Sequence, residues 1–170
     1  MDYTIRELKP SEAHLLEDFT YEAIFQRDPD NLIPREVLKQ PEIRIFYENF
    51  GKAGDLCFVA ELDGKPIGAV WTRILDGEVK GFGHLDSETP EFGISLYKAH
   101  RGKGIGTALM RRILDTLGAH GCRKTSLAVQ KDNYAVQLYQ KVGFSVVKET
   151  EEEYLMVCIL DQGHEMKELL

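Results

Sequence analysis

Residues 101–107, Arg101-Gly102-Lys103-Gly104-Ile105-Gly106-Thr107, are the stretch whose types and spacing speak most directly of chemistry. Alternate glycines let a main chain approach a ligand with no Cβ in the way. A helix that opens at such a turn aims unpaired N–H groups and its positive dipole end into it. The occupant these groups select is an anion. A nucleotide P-loop is not supplied, because Gly-x-x-x-x-Gly-Lys-Ser/Thr is absent from Gly102 to Thr107. A dinucleotide-binding turn also fits badly. Lys98-Ala99-His100-Arg101 intervenes between strand and glycines, and Thr107 stands where a third glycine belongs. The plain alternative is a glycine-rich turn with no ligand.

The charge distribution bears on the same stretch. Arg101, Lys103, Arg111, Arg112, Arg123 and Lys124 face Asp115 alone between residues 101 and 124, a local +5 in a chain of net charge −7. A positive island in an acidic chain suits a compact polyanion, and a solvated helix face accounts for about half of those charges equally well. The net charge argues against general nucleic-acid binding, which needs a basic face.

The Arg-x-x-Gly-x-Gly pattern follows an Ile94-Ser95-Leu96 strand. In these residues the chain resembles the acyl-CoA pyrophosphate loop of the GCN5-related N-acetyltransferases. A second match, Asn133-Tyr134-Ala135-Val136-Gln137-Leu138-Tyr139-Gln140-Lys141-Val142-Gly143-Phe144, is similar to that family's Asn-x-x-Ala-x-x-Leu-Tyr-x-Lys-x-Gly-Phe segment. Two motifs in the right order and separation are far more specific than either alone.

The resemblance implies acetyl-CoA as co-substrate, no metal, and an amine acceptor on a small molecule or peptide. It implies that main chain at Leu96, Tyr97 and Lys98 pairs with the pantetheine amides like an added strand. The N–H groups of Arg101, Gly102, Lys103, Gly104, Ile105, Gly106 and Thr107 would then cradle the pyrophosphate. Arg101 would touch phosphate or brace the turn, and Thr107 adds a hydroxyl. Tyr139 is placed beside the thioester sulfur, where a phenol can supply or share a proton with the departing thiolate. Its ordinary reading is an amphipathic core residue. Asn133 would contact the cofactor arm or an ordered water, and by position it, or Asp132, is also a helix N-cap. Glu91, at the start of the strand that runs into the loop, is the candidate base, directly or through water; otherwise it is a solvated strand-end carboxylate.

No cysteine lies in either motif, so direct attack by the amine in a ternary complex is expected rather than a covalent acetyl-enzyme. A non-catalytic acyl-CoA-binding sensor or regulatory module is the rival reading. A homodimer through the last strands is a further implication of the resemblance. Tyr47, Glu48, Trp71, Arg73 and His84 are additional residues that could line an acceptor pocket, although Trp71 reads first as core and His84 as solvent-exposed.

The elements that must position these groups follow from periodicity. Strands are predicted at 3–8, 56–62, 67–75, 91–97, 125–129, 145–150 and 154–160. Asp63-Gly64 marks a hairpin between the second and third. A first helix, N-capped by Ser11, should turn Leu15, Leu16, Phe19 and Ala23 inward, and a second helical region from Pro34 to Phe50 breaks near Pro41. Leu109, Met110, Ile113, Leu114 and Leu117 give the 107–119 helix its apolar face, and Ala135, Leu138 and Val142 mark a short one stopped by Gly143. Residues 76–89, with Gly77, Gly81 and Gly83, read as a mobile connection near a functional opening.

The order predicts a mixed α/β fold, with a mostly antiparallel sheet of about seven strands, helices on both faces, and by resemblance a splayed parallel pair. A single domain over residues 1–160 with a C-terminal tail at 161–170 is expected. No apolar run nears the roughly 20 residues of a membrane span, and Met1-Asp2-Tyr3-Thr4 lacks the start of a signal peptide, so a cytoplasmic location is expected. Cys57, Cys122 and Cys158 form no Cys-x-x-Cys pair and suggest neither disulfides nor zinc.

Overall fold

Asp63 and Gly64 both take positive φ, 52° and 78°, and bring Leu62 opposite Lys65, as a two-residue primed turn demands. The turn uses only those two residues, so the third strand begins at Lys65 and ends at Arg73 rather than spanning 67–75. The computed structural model describes residues 2–160; the tail expected at 161–170 lies outside the described residues. The elements are β1 (Thr4–Glu7), α1 (Leu15–Ala23), α2 (Pro41–Arg44), β2 (Leu56–Leu62), β3 (Lys65–Arg73), β4 (Glu91–Leu96), α3 (Ile105–Ala119), β5 (Lys124–Gln130), α4 (Ala135–Val142), β6 (Phe144–Glu149) and β7 (Glu153–Ile159). Short 3-10 turns lie at Pro10–Glu12, Arg35–Lys39 and Lys98–His100.

The strands form one seven-stranded sheet in the order β1-β2-β3-β4-β5-β7-β6, antiparallel everywhere except between β4 and β5. Alternation along each strand divides the core in two. Phe58, Val70, Phe92 and Leu127 face α3 and α4, whereas Cys57, Val59, Ala69 and Trp71 face Leu16 and Phe19 of α1. The mixed fold with helices on both faces is thus as expected. Ile105, Leu109, Met110 and Ile113 are fully buried, each worth roughly 1.5–3 kcal/mol, and they press the opening turn of α3 onto the sheet.

Two expectations for the first helix fail. Ser11 lies inside a 3-10 turn and the α-helix starts four residues later, because Glu12 is held by Arg6 at 2.8 and 2.9 Å and accepts the Lys9 N–H at 2.9 Å. Ala23 is exposed, since the helix ends there and Ile24 turns extended at ψ 126°.

Beyond α2 the chain is secured by Arg73 from β3. Its guanidinium donates to the carbonyls of Ile45 (2.9 Å), Glu48 (2.7 Å) and Asn49 (3.3 Å) and pairs with Asp55 at 3.1 Å. Both side chains are about 95% buried, at 5% and 6% exposure, and a buried cation left without its carboxylate is costly. Asp55→Ala should therefore lower unfolding free energy by about 3–5 kcal/mol. A urea midpoint within experimental error of wild type would show that the carbonyls alone satisfy Arg73.

Candidate active site

The site begins where the sheet comes apart. β4 and β5 share a single register pair, Glu91 opposite Ser126, with the Ser126 N–H on the Pro90 carbonyl at 3.1 Å. Tyr97 N–H donates to Ile67 O at 3.0 Å, which fixes the antiparallel alternation along β4. The peptide groups of Ile94 and Leu96 consequently turn away from β3, toward the gap.

At the end of β4 the chain makes a 3-10 turn and then the glycine turn. Gly102 and Gly104 adopt φ of 74° and 83°, conformations that side chains resist, whereas a Cβ on Gly106 would meet nothing closer than 3.8 Å. Two of the three glycines are thus required by backbone shape. The N–H groups from Gly102 to Thr107 find no acceptor among the described residues, and Ala108 N–H is the first in α3 to reach back, to Gly104 O at 3.2 Å. Ile105, wholly buried, pins this turn while those donors stay outward.

A cleft of about 630 Å³ opens beside it. Leu96, Lys98, Arg101, Gly102, Gly104, Gly106, Thr107, Asn133 and Tyr139 line it. Three of the candidates for holding the cofactor do not. Tyr97 stacks on Phe19 across the opposite face at 5.2 Å, Lys103 points to solvent, and the Ile105 side chain is core. Arg101 braces the turn: Nε donates to Leu96 O at 2.8 Å and Nη2 to Glu22 Oε2 at 3.0 Å. Asn133 Oδ1 accepts the Ala135 N–H at 2.9 Å, so it caps α4, while Asp132 is taken by Arg27.

Tyr139 is wedged between Phe92 and Phe144, edge to face at 6.3 and 5.9 Å, and burial pushes its phenol up to about 12. Its hydroxyl has no hydrogen-bond partner among the described residues.

Glu91 lies elsewhere than expected for a solvated carboxylate. It is 2% exposed and turned to the α1 face, outside the cleft lining. The 76–89 connection, expected to be mobile, is packed over it. A Cβ on Gly81 would sit 2.1 Å from both Glu91 oxygens, and one on Gly83 would meet the main chain of Leu127 and Ala128. Gly83 N–H donates to Glu91 Oε1 at 2.8 Å and Ser126 Oγ donates to Gly83 O at 2.7 Å, whereas Oε2 has no hydrogen-bond partner among the described residues. Burial raises the Glu91 pKa to about 7, the Gly83 bond opposing it.

The other acceptor-pocket candidates have structural roles. Trp71 Nε1 donates to Phe46 O at 3.1 Å, Tyr47 OH to Leu38 O at 2.8 Å, and Arg73 is buried as above. Glu48 pairs with Arg44 at 3.3 Å and His84 faces Asp76 at 3.7 Å. The wall opposite the glycine turn comes instead from Tyr21 to Gln26, Pro29 and Leu32. In the sequence, Asp28-Pro29-Asp30-Asn31 breaks the helical pattern at this wall and is the local signal there. Among the described residues no group of His, Cys, Asp and Glu could hold a metal, and no helix is long and apolar enough to cross a membrane.

The sequence profile of the Acetyltransferase (GNAT) family matches residues 16–144. A mycothiol acetyltransferase of Corynebacterium glutamicum is 40% identical over 79 residues, 43% of this chain and 27% of its own length, so the chain spans about a quarter of that relative. An N-alpha-acetyltransferase of Sulfurisphaera tokodaii is 30% identical over 147 residues, 78% of this chain and 88% of its own. Among solved structures, yncA of Salmonella typhimurium with its cofactor acetyl-CoA superposes with a TM-score of 0.67, 20% identity and 95% coverage of both chains.

Glu91 makes the stability of the fold depend on pH. Its folded pKa lies above the ordinary 4.5, so its contribution to stability is intact below about pH 4.5 and is lost as pH rises through about 7. Glu91→Gln removes that loss. The melting temperature of the variant relative to wild type should climb between pH 4.5 and 7 and level off above; a difference independent of pH would contradict the buried, unpaired carboxylate.

Proposed function

Because the chain belongs to the acetyltransferase (GNAT) family, we propose that it transfers an acetyl group from acetyl-CoA to a primary amine of a small molecule or peptide, by direct attack in a ternary complex. The observation that carries the reading is the row of unpaired N–H groups from Gly102 to Thr107 beside the open edge of β4. A diphosphate fits the first and an amide-bearing arm fits the second, since each offers the acceptors or donors that the main chain lacks there. In this reading Gly102, Gly104, Gly106 and Thr107 hold the diphosphate. The peptide groups of Ile94 and Leu96 hold the pantetheine arm, although the Leu96 carbonyl already accepts from Arg101.

Acetyl-CoA, when bound, supplies an activated acyl carbon and a sulfur leaving group. The amine nitrogen forms the new bond to that carbon as the carbon–sulfur bond breaks. Tyr139 shares its proton with the departing sulfur. At a pKa of about 12 it is a weaker acid than a thiol near ~8.5, so full transfer from the phenol is uphill by roughly 5 kcal/mol. Hydrogen-bond donation to the developing charge is the role that its raised pKa supports, with the balancing proton coming from the amine by way of solvent. Glu91, roofed by Gly81 and Gly83, accepts a proton through a water relay rather than by contact with the amine. An amine of pKa ~10.4 is neutral less than about one part in a thousand of the time at pH 7, which is why an acceptor for its proton matters.

Calorimetry with acetyl-CoA, followed by free-thiol release with a panel of amines, tests the proposal. Binding with amine-dependent thiol release is expected. Tight binding with no release would instead favour the sensor module, and no binding at millimolar acetyl-CoA would remove the assignment altogether. Tyr139→Phe should lower kcat roughly 10²-fold with the dissociation constant of acetyl-CoA within about twofold of wild type. Unchanged kcat would relieve Tyr139 of its role.

A further inference from the structure

The chain that follows α1 crosses the mouth of the cleft and is tied down at both ends. At one end Glu22 receives Arg101, Nη2 to Oε2 at 3.0 Å and to the Glu22 carbonyl at 3.3 Å. At the other, Arg27 reaches about a hundred residues along the sequence. Its Nε donates to Asp132 Oδ2 at 2.7 Å, and its Nη2 to Asp132 Oδ1 at 2.9 Å and Gln130 Oε1 at 2.8 Å. The anchors stand on opposite sides of the gap between the parallel strands. Arg101 follows β4, whereas Gln130 ends β5 and Asp132 leads into α4. Between the anchors Ile24, Phe25 and Gln26 line the cleft, which Asn133 and Tyr134, next to the Asp132 anchor, line as well.

Arg27 is not itself part of the lining. Its guanidinium lies over the Phe25 ring, 5.3 Å from the centroid, so the cation that grips Asp132 also holds the apolar ring forming the wall. Two parallel N–H···O bonds to one carboxylate fix direction as well as distance, which a lysine in the same place could not do. The pair is a little more than half exposed on each side, at 53% and 56%. An exposed pair adds little to folding stability, so what this one supplies is geometry.

We infer that Arg27 is a positioning residue for the acceptor: by clamping the 22–27 crossing to the β5–α4 turn it sets the distance between the Phe25 wall and the Asn133–Tyr134 wall. The inference rests on the acetyl transfer proposed above. The width so fixed governs how an amine is presented, because small displacements of a bound reactant cost much of its reactivity.

The test uses R27Q, D132N and the charge-exchanged double variant R27D/D132R. Each is assayed with the fastest amine from a panel of diamines, amino acid amides and short peptides. Both single variants should raise the acceptor KM about tenfold, with the acetyl-CoA dissociation constant within about twofold and the melting temperature within about 2 °C of wild type. The exchanged pair should recover most of that loss. Raising salt should increase the acceptor KM of wild type and leave that of R27Q level, since screening weakens an exposed pair. Amide hydrogen exchange over residues 24–32, measured without ligand, should quicken in R27Q.

Wild-type turnover with an unaltered acceptor KM in R27Q overturns the inference and leaves the proposed function standing. So does failure of the exchanged pair to restore what both single variants lose. Absence of acetyl-CoA binding or thiol release by wild type removes the function first and the inference with it.

Discussion

A single point of pairing between two parallel strands, Glu91 opposite Ser126, is the constraint on which this molecule depends. In the interior of a sheet every peptide group ordinarily has a neighbour, and a polar group left unpaired there costs roughly 1–3 kcal/mol. β4 is fully laddered to β3 and β5 to β7, so the sheet remains continuous while its centre opens. The parted edges keep peptide donors and acceptors that a ladder would otherwise occupy. The glycine turn lies at the end of one of these edges because the strand runs straight into it.

The same junction isolates Glu91. Ser126 holds the Gly83 carbonyl, Gly83 holds one Glu91 oxygen, and the missing Cβ of Gly81 lets the main chain close over both. Dehydration is the larger influence and the one hydrogen bond the smaller. The carboxyl moves from 4.5 to about 7, on the order of 3 kcal/mol disfavouring its charge. A group held between its two protonation states near neutrality suits proton exchange, and the cost in stability is one that an ordinary core position would avoid.

Cations count for less here than their number suggests. Arg101 is engaged by Leu96 and Glu22, Arg112 lies over the Phe58 ring at 5.0 Å, and Lys124 pairs with Asp86 at 3.2 Å. Half of the positive island therefore has structural work. At the turn itself the anion-seeking capacity lies mainly in the backbone, with Lys98 in the lining and Lys103 exposed nearby. A backbone site of this kind depends on φ at Gly102 and Gly104 more than on any side chain.

Periodicity and turn chemistry made the strands, the helix of residues 105–119 and the Asp63-Gly64 hairpin legible, because these are decided by residues within a few positions of one another. The two motifs likewise announced the glycine turn and placed Tyr139 and Asn133 together, and both do line one cleft. What the sequence could not contain was the meeting of distant parts. Arg27 with Asp132, Ser126 with Gly83, and the wall of Phe25 and Leu32 in one cleft with Gly102 and Asn133 each join segments far apart in the chain, and no local preference encodes them. Ser11 and Ala23 depart from expectation on a shorter scale: the pull of Arg6 on Glu12, six residues away, and the early turn at Ile24 outweigh helix-capping and amphipathic signals worth about 1 kcal/mol. The sequence by itself determined which elements form and which residues could grip an anion. Only the tertiary structure decided that β4 and β5 part after one contact, since strand separation is a balance of packing from both faces of the sheet and is written in neither strand alone.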